Sequence, residues 1–363
     1  MKNKIALASA FVAASSLATA EIVINDFLSF EGFIDMSYSH TDVDSDISIL
    51  DGSDNSFDID QVEIDWLFDF DTVTAQIDLA YEGSDGDQET AVEQAFATYH
   101  FDNGGAITAG RFASMLGFEA FEPTGLYQFS FAYDMSILPG YAQGVKFTHE
   151  SDNTFFGLSL LDSYVERDID DPYNGRLGGS DDSSYAFEIA GAYYMDNGLG
   201  FFLGGYYEDI DGDGVTSPDG DNYAINAYVT FETGAWIFAA ELNYGETEAD
   251  AYGVDFGVDP VFGNLEIVGT DDEAMSGLLM ANYAYSDKGS ITGRISYESF
   301  EYENQFDDEI EQIKFTLAHG YAFTDNLSLV TEISYSEATV ENNLGLDEDI
   351  ETLLGAVELI FAF

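Results

Sequence analysis

The sequence predicts an all-β protein: a transmembrane antiparallel β-barrel, of sixteen strands, with short turns at one end and long loops at the other. Three observations predict it. Segments alternating with a period of two recur along the chain, and that period places successive side chains on opposite faces of a strand. The connections between these segments alternate short and long, as in outer-membrane barrels with short periplasmic turns and long external loops. The last strand carries an apolar face to the final residue, which suits a barrel wall in lipid better than a terminus fraying into water. No stretch after residue 20 approaches the 18 or so apolar residues of a spanning helix.

Composition narrows the class. The 363 residues carry 70 acids against nine Lys and Arg, a formal net charge of −61. Two of the nine bases, Lys2 and Lys4, lie in the first twenty residues, which contain no acid, so the remainder is more acidic still. Such a chain does not seek nucleic acid or other polyanions. The charge alone would suit a disordered polymer, but 46% hydrophobic and 15% aromatic residues argue against disorder. The 35 Gly and 23 Tyr suit many strands and turns. There is no Cys, hence no disulfide and no lipid-modified N-terminal Cys.

Met1 to Ala20 reads as a secretory signal peptide. Lys2 and Lys4 make its charged start, Ile5 to Leu17 is apolar or small, and Ala18-Thr19-Ala20 has the small-x-small cleavage pattern. Residues 21–363 then form a single barrel domain. Its predicted strands are 27–40, 56–70, 72–82, 92–102, 105–112, 142–150, 154–163, 183–195, 199–209, 221–233, 235–245, 272–286, 290–302, 309–323, 327–338 and 350–363. The short connections carry the Asn, Asp and Gly that tight turns need, as in Asp102-Asn103-Gly104-Gly105 and Asp196-Asn197-Gly198. Within strands the two faces separate. Val73, Ala75, Ile77, Leu79 and Tyr81 oppose Thr74, Gln76, Asp78 and Glu82; Trp236, Phe238, Ala240, Leu242 and Tyr244 oppose Ala239, Glu241 and Asn243. The apolar set is expected to face lipid and the polar set the lumen. In 350–363, Leu353, Gly355, Val357, Leu359, Phe361 and Phe363 share one face. This ending resembles the C-terminal signature of bacterial outer-membrane β-barrels. The resemblance implies a bacterial outer-membrane location, outer-membrane lipid around the wall, and Phe363 as the assembly signal read by the barrel assembly machinery.

The longest connection, 113–141, is no polar surface loop. Its aromatics and Met would be poorly placed in water, so it is expected to fold inward as a constriction loop. Its acids are Glu119, Glu122 and Asp134. Arg111 and Lys146 flank it, and Arg294 and Lys314 fall on later strands; all four bases are expected to point into the lumen. They either pair with neighbouring acids or set a transverse field across the pore. The run Gly110-Arg111-Phe112, Leu116-Gly117-Phe118-Glu119, Glu122-Pro123 and Gly144-Val145-Lys146-Phe147 resembles the bacterial "putative β-barrel porin" group of the Gram-negative porin superfamily. The resemblance implies a passive diffusion pore for small hydrophilic solutes, commonly a homotrimer, constricted by this loop. The acid load departs from a general porin, and a cation preference is expected.

Asp209, Asp211 and Asp213, followed by Gly214, resemble the first half of a calcium loop, although position twelve is Gly220 rather than Glu. A Ca²⁺ ion in that external loop is the one cofactor the sequence suggests; the alternative is an acidic hairpin. His40, His100, His149 and His319 lack metal-ligand spacing, and no nucleophile motif is present, so an enzyme is not expected. The competing function is a structural or adhesive surface barrel whose acidic loops bind cations without significant flux.

Overall fold

A computed structural model describes residues 21–45, 51–82, 89–135, 137–162, 185–211, 219–249, 252–255, 264–267, 270–302, 308–341, 343, 345 and 347–363. The expected signal peptide and Asp213 lie outside them. The strands are β1 (Ile22–Asn25), β2 (Leu28–Ser45), β3 (Gly52–Asp69), β4 (Val73–Glu82), β5 (Glu89–His100), β6 (Gly105–Ala113), β7 (Tyr141–Glu150), β8 (Thr154–Leu161), β9 (Tyr185–Tyr194), β10 (Leu199–Ile210), β11 (Gly220–Thr233), β12 (Trp236–Ala249), β13 (Tyr252–Asp255), β14 (Asn264–Ile267), β15 (Thr270–Ser286), β16 (Gly289–Tyr302), β17 (Asp308–Ala322), β18 (Leu327–Glu341) and β19 (Asp347–Ala362). Sixteen of them close a barrel, each antiparallel to the next, and β19 pairs with β2 to complete the ring. The other three are the short β1, which pairs with β2, and the β13–β14 hairpin in the connection between β12 and β15. Alternation did not reveal these four-residue strands because each is too short to show a period.

Closure removes the unpaired edges that an open sheet would expose. At the seam, Gly32 and Phe363 exchange backbone hydrogen bonds of 2.9 Å in both directions. Several strands run further toward the long-loop end than alternation predicted: β2 and β3 each have 18 residues.

The face assignments follow the pattern of the sequence. Leu242 is 69% exposed while its neighbours Glu241 and Asn243 are buried. On β19, Leu353, Val357 and Phe361 are exposed, and Ala356, Glu358, Ile360 and Ala362 are buried. Two of the register irregularities, β-bulges in β3 and β5, interrupt the alternation on one wall. Asp35 pairs with Gln61 and Met36 with Ile59, which leaves Asp60 as the extra residue of β3. Asp78 pairs with Gln94 and Leu79 with Val92, which leaves Glu93 extra in β5. An inserted residue shifts the phase of everything after it. In β3 the outward residues therefore change from Phe57 and Ile59 to Val62, Ile64, Trp66 and Phe68 without leaving the outer face. Both extra residues are acids at lumen-facing steps.

Candidate functional site

The connection between β6 and β7 enters the barrel, and most of it lies against the inner wall formed by β9–β12 and β15–β18. Small wall residues make room for it. A Cβ added at Gly157 would lie 2.2 Å from the Met115 sulfur, and one at Gly204 would lie 2.4 Å from a Leu116 methyl. Met115 and Leu116 pack with Ala190, Ala192, Phe202, Tyr206 and Ala224 of β9–β11. Phe118, Tyr127 and Ala132 pack with Ala239, Leu278 and Met280 of β12 and β15. Where the loop docks, the lumen wall thus carries apolar patches among its polar residues, against the expectation of a uniformly polar interior. Each fully buried Leu, Met or Phe side chain here contributes roughly 1.5–3 kcal/mol.

Carboxylates of the wall then hold the loop backbone. Glu188 accepts from the Met115 N–H (2.5 Å) and Ser114 Oγ (3.2 Å). Asn226 Oδ1 accepts from the Gly117 N–H (3.1 Å), and Glu241 from the Phe118 N–H (2.7 Å). Glu332 accepts from the N–H groups of Phe129 and Ser130 and from Ser130 Oγ, at 2.8, 3.1 and 2.6 Å. Glu298 accepts from the N–H groups of Asp134 and Met135, both at 3.0 Å. A hydrogen bond to a charged acceptor is worth about 1.5–3 kcal/mol, and buried loop N–H groups otherwise lack partners. Tyr133 joins the same network by donating its Oη to Glu241 Oε2 at 3.0 Å; burial, then the neighbouring Glu241 charge, pushes its phenol pKa upward. The sequence pointed to none of these wall residues as functional. Their only signal was an acid or amide on the inward phase.

The loop acids and wall bases divide into distinct roles. Arg294, whose side chain is fully buried, donates from Nη1 to Glu119 Oε1 at 2.6 Å and to the Ser130 carbonyl at 2.8 Å. Its Nη2 reaches the Phe131 carbonyl at 2.8 Å. Glu119 also accepts from Gln128 Nε2 and from the Ala132 N–H, both at 2.7 Å, and so ties the loop to itself. Lys314 pairs with Asp134. Lys146 is buried, its Nζ 3.3 Å from the Ala113 carbonyl and 4.3 Å from the centre of the Phe112 ring. These three bases face inward, as their phase indicated, and each braces the loop.

Arg111 departs from the expected placement. Residues directly opposite on paired strands share a face. Arg111 is opposite Ala95 and Gln143, whereas its neighbour Phe112 is opposite Ala142 and buried with it inside. Phe112 therefore takes the lumen phase. The Arg111 Nε donates to the Glu93 carbonyl at 3.0 Å, and the guanidinium lies 5.8 Å from the Tyr141 ring centre. The preceding Gly110 has φ +135°, and a Cβ there would come within 2.2 Å of the Ala95 carbonyl oxygen, so only glycine fits this step.

Glu122 also sits differently from a loop acid facing wall bases. It lies against the opposite wall, where its carboxylate groups with those of Glu63 and Glu93, with ligand oxygens all within 4.8 Å of one another. Gln61 Nε2 (3.2 Å) and Tyr141 Oη (3.3 Å) donate to it. Burial raises its pKa, and the hydrogen bonds oppose that rise. The wall beside it, on β2–β5 and β19, carries Asp35, Asp60, Glu63, Asp65, Asp78, Glu93 and Glu358. The two salt bridges among the described residues, Arg294–Glu119 and Lys314–Asp134, both lie elsewhere. Asp209 is in β10 opposite Asp221, and Asp211 follows it, exposed.

Comparisons with known proteins agree with this architecture. No curated protein matches the chain in sequence. Among solved structures, the trimer form of OmpT, an outer membrane protein of Vibrio cholerae, superposes with a TM-score of 0.58 at 11% identity, over 93% of this chain and 99% of that one. The anion-selective porin from Comamonas acidovorans gives 0.57 at 13% identity, over 93% and 99%. The outer membrane channel DcaP of Acinetobacter baumannii gives 0.57 at 12% identity, over 93% and 97%. At these identities the likeness is one of fold. The family model described as "Putative beta-barrel porin-2, OmpL-like" matches residues 28–363, nearly the whole described chain. The chain therefore belongs to that family of porins of the bacterial outer membrane.

Proposed function

We propose that this barrel is a passive, cation-preferring diffusion channel for small hydrophilic solutes, and not an enzyme. The observation that carries the preference is the division of charge inside the barrel. One wall, β2–β5 with β19, presents a group of carboxylates that includes Glu31, Asp35, Asp60, Glu63, Asp65, Asp78, Glu93 and Glu358, and receives Glu122 from the loop. Arg294, Lys314 and Lys146 are engaged on the other wall in holding the loop. Even in bulk water a unit charge 4 Å from a carboxylate gains about 1 kcal/mol, so two ionised carboxylates favour a cation over a neutral solute by more than tenfold. The anion selectivity of the Comamonas porin belongs to that protein. A net charge of −61 favours the opposite sign here. The assembled form is taken to be a homotrimer in outer-membrane lipid, inserted by the barrel assembly machinery with Phe363 as its signal. At the end of β10 and in the loop that follows it, Ca²⁺ is proposed at Asp209, Asp211 and Asp213.

The test is single-channel recording of the refolded protein in a planar bilayer, with the reversal potential measured under a KCl gradient. Discrete steps with a reversal potential of cation-selective sign are expected. Anion-selective steps would overturn the preference but keep the channel. Absence of conductance from folded, heat-modifiable protein would overturn the channel.

A further inference from the structure

We propose that Glu63, Asp65 and Asp78 form a divalent-cation site on the lumen wall, with the all-oxygen chemistry that suits Ca²⁺. The inference rests on the barrel geometry and does not require flux through the pore.

The register places the acids in a row. Glu31 is directly opposite Asp65 across β2–β3, Asp65 is directly opposite Asp78 across β3–β4, and Asp78 is directly opposite Gln94 across β4–β5. Glu63 stands one inward step along β3 from Asp65. Like charges directly opposite on neighbouring strands repel at the closest spacing a sheet offers. A chain that aligns three acids across three strands needs something to offset that repulsion.

The oxygens are arranged to accept a cation. One ligand oxygen from each of Glu63, Asp65 and Asp78 lies within 4.8 Å of the others. Two oxygens bound about 2.4 Å from one Ca²⁺ lie at most about 4.8 Å apart, a condition that all three pairs meet. A second, independent observation points the same way. Asp78 is 1% exposed, yet its Oδ1 receives no hydrogen bond from an amide or hydroxyl, and the facing Asp65 carboxyl is its neighbour. Its other oxygen, Oδ2, is fully engaged, accepting from Gln76 Nε2 at 2.9 Å and Gln94 Nε2 at 2.6 Å. These two amides fix the carboxylate and leave Oδ1 for another partner. Asp65 Oδ1 is also buried without an amide or hydroxyl donor, and the carboxyls of Glu63 and Asp78 are its side-chain neighbours. Glu63 is oriented in the same manner, through Gln61 Nε2 on Oε2 at 2.9 Å. A buried carboxylate oxygen left without a donor costs stability, and a cation removes that cost. Glutamines that orient the ligands without adding charge fit the outer-shell role seen around metal sites.

The test uses the refolded full barrel and Ca²⁺ itself. The thermal midpoint of heat modifiability is measured in EGTA and in Ca²⁺ for wild type, Asp78→Asn, and Asp152→Asn, the last in the turn between β7 and β8. In EGTA, Asp78→Asn is expected to melt above wild type, because one of the repelling charges is gone. Ca²⁺ is expected to raise the midpoint of wild type and of Asp152→Asn well beyond that of Asp78→Asn. Tb³⁺ luminescence titration is expected to show a tightest site that Asp78→Asn weakens at least tenfold and Asp152→Asn leaves unchanged. The proposal is overturned if Ca²⁺ stabilises wild type and Asp78→Asn equally, or if the tightest Tb³⁺ site survives Asp78→Asn. It is also overturned if acidification alone restores wild-type stability while Ca²⁺ does nothing, since the facing carboxyls would then share protons. A barrel that binds Ca²⁺ at this site but conducts no ions would sink the channel reading and leave the site standing.

Discussion

Replacing Arg294 by Met should release the tip of the inward loop while the barrel stays closed. The arginine is fully buried and bridges Glu119 to the carbonyls of Ser130 and Phe131. Its removal leaves a largely buried carboxylate without its cation, a change that costs about 3–5 kcal/mol. The carbonyls also lose a charged donor. These partners are all in the loop, and beside them the guanidinium reaches, among the described residues, only Ser130 Oγ and the β17 hydroxyl of Thr316, so most of the cost falls on the docked state of residues 127–134. At about 1.4 kcal/mol per tenfold, detachment of the tip becomes 10²–10³ times more populated or more. Hydrogen exchange of the refolded barrel reads this directly. Amides of Phe129, Ser130 and Ala132 should exchange faster by that factor, while amides of β16 and β17 keep their protection. The companion variant Glu119→Gln removes the charge that Arg294 neutralises, so the double variant should cost clearly less than the sum of the singles. If loop exchange in Arg294→Met equals wild type, or if the two costs add within about 0.5 kcal/mol, then the pair does not anchor the loop and the reasoning fails.

Two further outcomes follow from the loop and the seam. Glu122 has a raised carboxyl pKa through burial, so the folded loop holds its proton to a higher pH than the unfolded chain does. The folded state then binds more protons, and stability falls as pH rises from the ordinary glutamate range through the elevated value. Glu122→Gln should flatten that part of the stability–pH curve of the loop by hydrogen exchange, and an unchanged slope would refute it. At the C-terminus, deleting Phe363 removes the paired backbone bonds to Gly32 and the ring contact with Phe30 at 6.2 Å between centroids. The yield of folded barrel in the outer membrane should drop severalfold, and full yield would refute both the seam and the assembly-signal role.

Much of this molecule is legible in the order of its residues because a barrel strand needs only a period of two and a turn. Trp236, Phe238 and Leu242 could lie only on the face opposite Glu241 and Asn243, whatever the neighbouring strands were. The apolar character of 113–141 likewise required a protein surface rather than water, and the inward phase of Lys146, Arg294 and Lys314 followed from their neighbours. What the alternation could not carry was which strand lies beside which and at what register. The pairing of Arg294 with Glu119 and of Glu332 with Phe129 and Ser130 joins residues about 175 and 200 positions apart, a relation with no local signal. Arg111 read as inward from its own strand, yet register with Ala95 and Gln143 gave the lumen position to Phe112. The bulges at Asp60 and Glu93 and the row Glu31–Asp65–Asp78 exist only once β2–β5 are laid side by side. Periodicity is a property of one strand and determines inside from outside. The meeting of charges across strands depends on barrel closure and strand register, which belong to the tertiary structure alone.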